Sequence, residues 1–193
     1  MRNSPIFARN GGIALTRGRG IIVTLMSTSL ISIRTARGSD APDIAHAHQE
    51  AWRHAYQGVI PHLPLSRMIA RRGAGWWRDA IERGLHALVL DFDGELAGYA
   101  TLGRSRLRGT RYRGEIFELY VRPAYQGVGF GKRLFTTARA ELAARNLDGL
   151  CVWSLAENDR ACAFYLHLGG QPVSEGVERF GDASLRKVAF AWR

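Results

Sequence analysis

The chain has 193 residues, 46% of them hydrophobic and 23% charged, so it is long enough for one full globular domain and short for two. Its net charge of +10 is uneven, because residues 1–39 carry six arginines and no acidic residue, which leaves +4 for the remainder. This distribution argues against a nucleic-acid groove that spans the whole domain, and no run approaches the roughly eighteen apolar residues needed to cross a membrane.

Residues 1–29 differ from the rest of the chain, since they are rich in Arg, Gly, Ser and Thr and contain no acidic residue. Three interpretations compete: a targeting peptide, a flexible arm, or an upstream start codon with Met26 as the true start. We favour a disordered leader or a misassigned start, because no long apolar segment with a clear cleavage site follows. We expect a single domain over residues 30–193.

The residue types that bind metals show no metal-site pattern. Cys151 and Cys162 form no CxxC motif. Of the three early histidines at positions 46, 48 and 54, His46 and His54 lie on different turns of the predicted helix without carboxylate support. We therefore expect no metal, two reduced thiols and a cytoplasmic location.

Residues 30–83 are predicted to form one strand followed by helices. Residues 30–36 alternate as a strand does, and an acidic residue followed by a proline predicts a helix over residues 40–57. A second helical region begins near Pro61, breaks at residues 73–75 and resumes over residues 76–83.

Strands dominate the second half. Residues 87–92 and 95–102 flank an Asp-Gly turn and predict a hairpin, and an Arg-rich loop over residues 103–113 precedes a strand over residues 115–121. Further on, the sequence predicts a helix from residue 129 to about residue 145, a strand at residues 150–155, a helix from residue 158 and a closing strand at residues 184–192.

The segment after the 115–121 strand predicts an anion-binding loop. Pro123 stops the strand, and Gly127, Gly129 and Gly131 let the backbone approach a ligand closely just where a helix leaves N–H groups unpaired. Lys132 in the first helical turn opposes the helix dipole, and an anionic ligand would compensate for that cost.

The spacing of these glycines excludes two common phosphate-binding motifs. It is not G-x-x-x-x-G-K-[ST], because Arg133 follows Lys132, and it is not G-x-G-x-x-G, because Gly127, Gly129 and Gly131 alternate. The segment from Gln126 to Gly131 instead resembles the Q/R-x-x-G-x-G/A signature of the GNAT superfamily of acyl-CoA-dependent N-acyltransferases.

A second segment also resembles this superfamily. Asn158, Ala161, Phe164, Tyr165 and Gly169 follow its N-x-x-A-x-x-F-Y-x-x-x-G pattern, about thirty residues after the first motif. The family's usual next residue is Phe, and Gly170 stands there instead, a departure that concerns packing more than chemistry. The resemblance covers residues 30–192 and implies an α/β (α+β) GNAT fold, with a mixed sheet of six to seven strands and about four helices.

The resemblance also implies a cofactor site. In this family the glycine-rich loop holds the pyrophosphate of coenzyme A and the preceding strand runs beside its pantetheine arm, so the expected cosubstrate is acetyl-CoA. The expected cofactor-binding residues are Leu119, Tyr120, Val121, Gln126, Gly127, Val128, Gly129, Phe130, Gly131, Lys132 and Asn158.

Amine acetylation needs a base for the amine and a proton for the leaving thiolate. Glu118 and Glu115 are the candidate bases; on a regular strand they would face opposite sides, and we favour Glu118, which lies nearer the cofactor. The resemblance implies that Tyr165 protonates the thiolate. Backbone N–H groups around Leu119 would stabilise the developing oxyanion.

The predicted function is transfer of an acetyl group from acetyl-CoA to a primary amine of a small molecule or peptide, by direct attack in a ternary complex. The alternative is a non-catalytic acyl-CoA sensor. We expect no nucleic-acid or membrane partner, and a homodimer stays open. In this family the helices between the first two strands form one wall of the acceptor pocket. The aromatic residues of these helices either line that pocket or belong to the core: Trp52, Tyr56, Trp76 and Trp77. With the Arg-rich loop as a basic rim, we expect an acceptor that also carries an anionic group.

Overall fold

The computed structural model describes residues 31–193, and the interpretations of residues 1–29 and of Leu30 lie outside that range. The described residues form seven strands and five helices. The strands are β1 (Ile31–Thr35), β2 (Ala87–Phe92), β3 (Glu95–Arg104), β4 (Gly114–Val121), β5 (Leu150–Leu155), β6 (Gln171–Phe180) and β7 (Ala183–Trp192). The helices are α1 (Ala41–Tyr56), α2 (His62–Arg71), α3 (Ala74–Glu82), α4 (Phe130–Ala144) and α5 (Asp159–His167).

All seven strands belong to one mixed sheet in the order β1-β2-β3-β4-β5-β7-β6. Every neighbouring pair is antiparallel except β4 and β5, which are parallel. This architecture confirms the predicted α/β fold with a mixed sheet of six to seven strands. The helix count is five because the break at Gly73 divides the second helical region into α2 and α3.

Turn chemistry explains where the hairpins form. Asp93 and Gly94 have φ values of 53° and 84°, so both central residues of the β2–β3 turn are left-handed, as a two-residue hairpin turn requires. Strand β6 was not predicted from the sequence. Most of its residues are exposed, so buried and exposed positions do not alternate regularly along it. It also carries Pro172 and Gly176, which disfavour a strand interior.

The sheet has a hydrophobic core on each face. One core joins the sheet to α4 and α5 through residues such as Leu102, Ile116 and Leu134. The other joins it to α1 and α3 through residues such as Ile44 and Trp77. Both sides of the sheet are therefore covered, and β4 lies at its centre between them.

His48 is a buried polar residue within the second core. Its ring lies against Trp52 and Trp77, and its Nδ1 is 2.7 Å from the Tyr99 hydroxyl. Within residues 31–193 its Nε2 has no hydrogen-bond partner. Burial, together with the positive charge of Arg72, lowers the pKa of His48 to about 3.

This histidine makes stability depend on pH. The unfolded chain protonates His48 near pH 6.5 and the folded chain only near pH 3, so its contribution is complete above pH 6.5 and is lost as the pH falls. We expect a free energy of unfolding lower by about 2 kcal/mol at pH 5 than at pH 7.5 from this residue alone. Denaturant unfolding of wild type and His48→Gln at both pH values measures it, and an equal pH dependence in the two proteins would contradict it.

Candidate active site

Strand β4 contains a β-bulge at Phe117. On β3 the pairing advances one residue, from Thr101 to Leu102, while on β4 it moves two, from Glu118 to Ile116. Phe117 is therefore the extra residue. A bulge of this kind bends the strand and changes which face the following side chains occupy.

The bulge places both candidate bases on one face of the sheet. Glu118 pairs with Thr101 and Glu115 pairs with Gly103, and these two β3 residues are two positions apart. The expectation that Glu115 and Glu118 face opposite sides is therefore wrong, because it assumed a regular strand. Which carboxylate can act as a base depends on its partners rather than on its face.

Strands β4 and β5 separate soon after they begin. They pair only over Gly114–Ile116 and Leu150–Val152, although both strands continue beyond this pairing. Parallel neighbours normally hydrogen-bond along their whole common length. The separation leaves a gap along residues 117–121 of β4. No strand within residues 31–193 pairs there with the backbone groups that point away from β3.

Hydrogen bonds identify the backbone groups that face this gap. The Arg122 N–H donates to Ala97 O on β3 at 2.8 Å, whereas the Val121 carbonyl points the other way and accepts from Gln126 Nε2 at 2.7 Å. Bonding direction alternates along a strand, so the backbone of Leu119 faces the gap like that of Val121. Leu119 can therefore present a donor to a molecule lying between β4 and β5.

The loop that follows β4 has the geometry of an anion site. Gly127 and Gly129 have φ values of 82° and 90°, which disfavour any residue with a side chain. The first α4 N–H to close a helical bond is that of Arg133, which donates to Gly129 O at 3.1 Å, so the preceding N–H groups remain available. Gly131 also packs closely against α5, since a Cβ there would lie 3.4 Å from the Phe164 ring.

The other predicted loop residues divide between surface and core. Val128 is exposed and lies with Gly129 and Lys132 along a groove of about 730 Å³ between β1 and the first turns of α4. Phe130 is buried in the core beneath α4. The Tyr120 side chain turns to the opposite face of the sheet, where its hydroxyl lies 2.8 Å from that of Tyr56.

Helix α5 contributes Asn158 and Tyr165. The Asn158 side chain accepts a hydrogen bond from Ala161 N at 3.1 Å and so caps the helix. Tyr165 is 6% exposed and packs against Phe190 and Trp192. Burial raises the pKa of Tyr165 well above its usual range, so the hydroxyl keeps its proton at neutral pH.

Glu118 lies in a cavity of about 440 Å³ on the α1–α3 side of the sheet. Its carboxylate accepts a hydrogen bond from the Arg72 guanidinium, and Thr101 Oγ1 lies 3.5 Å from its other oxygen. Burial raises the pKa of Glu118, although the charge of Arg72 opposes this rise. A partly desolvated carboxylate of raised pKa at a cavity wall suits a general base.

Glu115 has a different environment. Its side chain is fully buried and accepts hydrogen bonds from the backbone N–H of Arg106 at 2.7 Å and from the Arg106 guanidinium. It does not line the cavity. These contacts anchor the Arg-rich loop to β4, so the position of Glu115 suits a structural role.

Aromatic residues from the early helices form one wall of the cavity. Trp52, Tyr56 and Trp76 line it, whereas Trp77 is fully buried in the core. The sequence analysis missed Arg72, the partner of Glu118. An arginine near the break between two helices carries no local signal that it will reach a strand 46 residues away.

Known proteins are similar to this chain in sequence. Residues 42–169 match the model of the Acetyltransferase (GNAT) family. The uncharacterized N-acetyltransferase YuaI of Bacillus subtilis is 24% identical over 163 residues, which are 84% of this chain and 93% of that protein. The mycothiol acetyltransferase of Beutenbergia cavernae is 32% identical over 142 residues, which are 74% of this chain but 46% of that protein.

Solved structures share the fold. The PaiA N-acetyltransferase of Thermoplasma acidophilum, solved in complex with coenzyme A, has a TM-score of 0.66 at 18% identity and covers 82% of this chain and 98% of its own. YncA of Salmonella typhimurium, solved with its cofactor acetyl-CoA, has a TM-score of 0.62 at 22% identity. The match covers 86% of this chain and 94% of the YncA chain. Since the family model spans two thirds of its length, the chain belongs to the GNAT acetyltransferase family and is an N-acetyltransferase.

Proposed function

We propose that this N-acetyltransferase moves the acetyl group of acetyl-CoA to a primary amine by direct attack, with both substrates bound together on residues 30–193 as one domain. The observation that carries the proposal is the separation of β4 from β5, which opens a slot between the glycine-rich loop and the Glu118 cavity. The comparisons give no support to a non-catalytic acyl-CoA sensor.

The residues around the slot fit acetyl-CoA. The N–H groups of residues 127–132 would hold the pyrophosphate, because the left-handed glycines and the helix start present donors to an anion. Leu119 and Val121 would bond the pantetheine arm through their backbones. We propose that the Leu119 N–H stabilises the negative charge that develops on the acetyl carbonyl oxygen.

The proton steps fall to two side chains. Glu118 would take the proton of the attacking ammonium, directly or through water, since a protonated amine is not a nucleophile. Tyr165 would give its proton to the departing thiolate, and its raised pKa keeps that proton available at neutral pH. Glu115 would act only through the loop that it anchors.

Tyr165→Phe tests the second of these roles. We expect kcat to fall about 10- to 100-fold, because a general acid contributes roughly 10²–10⁴-fold and water can replace it in part. The dissociation constant of acetyl-CoA should change less than twofold, since only the hydroxyl is removed from a packed aromatic cluster. Steady-state rates and calorimetry measure the two quantities, and an unchanged kcat would refute the role.

The cellular location and the partners of the protein are also proposals. Among residues 31–193 no helix is long and apolar enough to cross a membrane, and none of their His, Cys, Asp and Glu side chains group as a metal site would. We propose a cytoplasmic location, consistent with the free thiols of Cys151 and Cys162. A homodimer, and the lack of a nucleic-acid partner, also remain proposals.

Release of the coenzyme A thiol together with acetylation of an added amine tests the function as a whole.

A further inference from the structure

We propose that the acceptor is a small monoamine with an aromatic or similarly flat apolar body. The inference rests on the proposed function, because it takes the cavity beside Glu118 as the acceptor site. It differs from the expectation of an anionic acceptor, which took the Arg-rich loop as a basic rim. Arg106 is the arginine of that loop that lines the cavity, and it is paired with Glu115.

Seven aromatic side chains line this cavity. They come from α1, α3, β4, β5 and β6, so they surround the space beside Glu118 rather than forming one patch. Trp76, Phe117 and Trp153 are three of them, and none is fully buried. A cavity of about 440 Å³ with aromatic rings on several sides suits a ligand that offers a flat apolar surface.

The cations of the cavity are already paired. Each of the three basic side chains that line it forms an ion pair with a carboxylate: Arg72 with Glu118, Arg106 with Glu115, and Lys187 with Glu178. A carboxylate on the acceptor would compete with these bound carboxylates and would lie close to them. A polyamine would meet carboxylates whose charge is already neutralised.

The same cations also lie over aromatic rings, which fixes them further. Arg72 is 4.7 Å from the Trp76 ring centroid, and Arg106 is 4.8 Å from that of Phe117. Lys187 is 5.0 Å from the ring centroid of Trp153. Each of these cations therefore already has both a carboxylate and an aromatic ring as partners, so none is left as a free charge for an anionic acceptor.

One side of the cavity is closed by protein. Phe180, at the end of β6, is 7% exposed and packs in one cluster with Leu65 and Ile69 of α2. At the adjacent turn, a Cβ on Gly181 would lie 3.3 Å from Pro64. The contact between the β6–β7 turn and α2 limits the length of the acceptor body, which favours a small molecule over a protein segment.

The experiment compares kcat/KM for four amines with the full chain and saturating acetyl-CoA. Phenethylamine has the proposed aromatic body, propylamine lacks it, phenylalanine adds a carboxylate, and spermidine is a polycation. We expect phenethylamine to exceed each of the others by at least about tenfold, because burying one aromatic ring is worth about that factor or more. Phenylalanine or spermidine at or above phenethylamine would overturn the inference.

Two variants keep the test specific. Trp76→Ala should lower the ratio of kcat/KM for phenethylamine to kcat/KM for propylamine about tenfold, since only phenethylamine uses the ring as a binding surface. Leu63→Ala, which changes an exposed α2 residue outside the cavity, should not change this ratio. An equal loss for both amines in Trp76→Ala would overturn the role of the aromatic wall.

The failure of this inference can be distinguished from that of the proposed function. If acetyl-CoA raises the melting temperature but none of the four amines is acetylated, the acceptor class is wrong and the cofactor site stands. If acetyl-CoA neither binds nor reacts, the proposed function itself is wrong, and the acceptor inference falls with it.

Discussion

Glu118→Gln is expected to lower kcat about 10²- to 10³-fold, the range typical of a lost general base. The amide keeps the size of the side chain and can still accept the Arg72 hydrogen bond, so the cavity should survive. In the wild-type enzyme, kcat/KM should rise with pH through the pKa of Glu118, which burial raises above that of an exposed glutamate. This acid limb should be absent in Glu118→Gln.

Glu115→Gln is the matched control, because it makes the same chemical change on the same face of the same strand. Its side chain is fully buried and holds Arg106, so we expect a lower melting temperature and a kcat within about fivefold of the wild-type value. Equal losses of kcat in the two variants, or a larger loss in Glu115→Gln, would show that Glu118 is not the base.

Gly129→Asp is expected to weaken acetyl-CoA binding by at least about 100-fold. Gly129 has φ 90° and ψ 0° at the start of α4, where a side chain is strained and a negative charge would face the pyrophosphate. Among residues 31–193, no heavy atom apart from the adjoining backbone lies within 4 Å of a Cβ built there, so the substitution acts through conformation and charge rather than through a clash. Calorimetric titration with coenzyme A measures the affinity.

Gly129→Asn separates these two effects. Asn has the shape of Asp without its charge and tolerates the left-handed conformation better than most residues. We expect Asn to retain an affinity at least about tenfold higher than that of Asp. If the Asp variant bound coenzyme A as tightly as wild type, the loop would not be the phosphate site.

Local chemistry made much of the fold predictable. The Asp93-Gly94 turn, the Pro123 stop and the glycine-rich helix start each follow from residues that allow few conformations. The two motifs then identified the family, because both occur in the expected order and about thirty residues apart, which is more specific than either motif alone. Strand β6 escaped detection, since its alternation is weak and only its pairing with β7 defines it.

The site was harder to predict because its decisive features are tertiary. No residue type at Phe117 announces a bulge, yet the bulge moves Glu115 to the face of Glu118. The ion pair between Arg72 and Glu118 joins residues 46 positions apart, which no local pattern predicts. Within the Arg-rich loop that was expected to form a basic rim, Arg106 lines the cavity and is paired with the buried Glu115. The number of arginines in a loop does not show which carboxylates they pair with in the folded chain.

The most direct test of the account follows both products of one reaction. The purified chain is mixed with acetyl-CoA and phenethylamine, the free thiol is measured by its reaction with a chromogenic disulfide, and the acetylated amine is measured by mass spectrometry. Direct transfer in a ternary complex predicts one acetylated amine for each thiol released, with double-reciprocal plots that intersect as both substrates are varied. Thiol release without acetylated amine, or parallel plots that indicate an acetylated enzyme, would contradict direct transfer between β4 and β5.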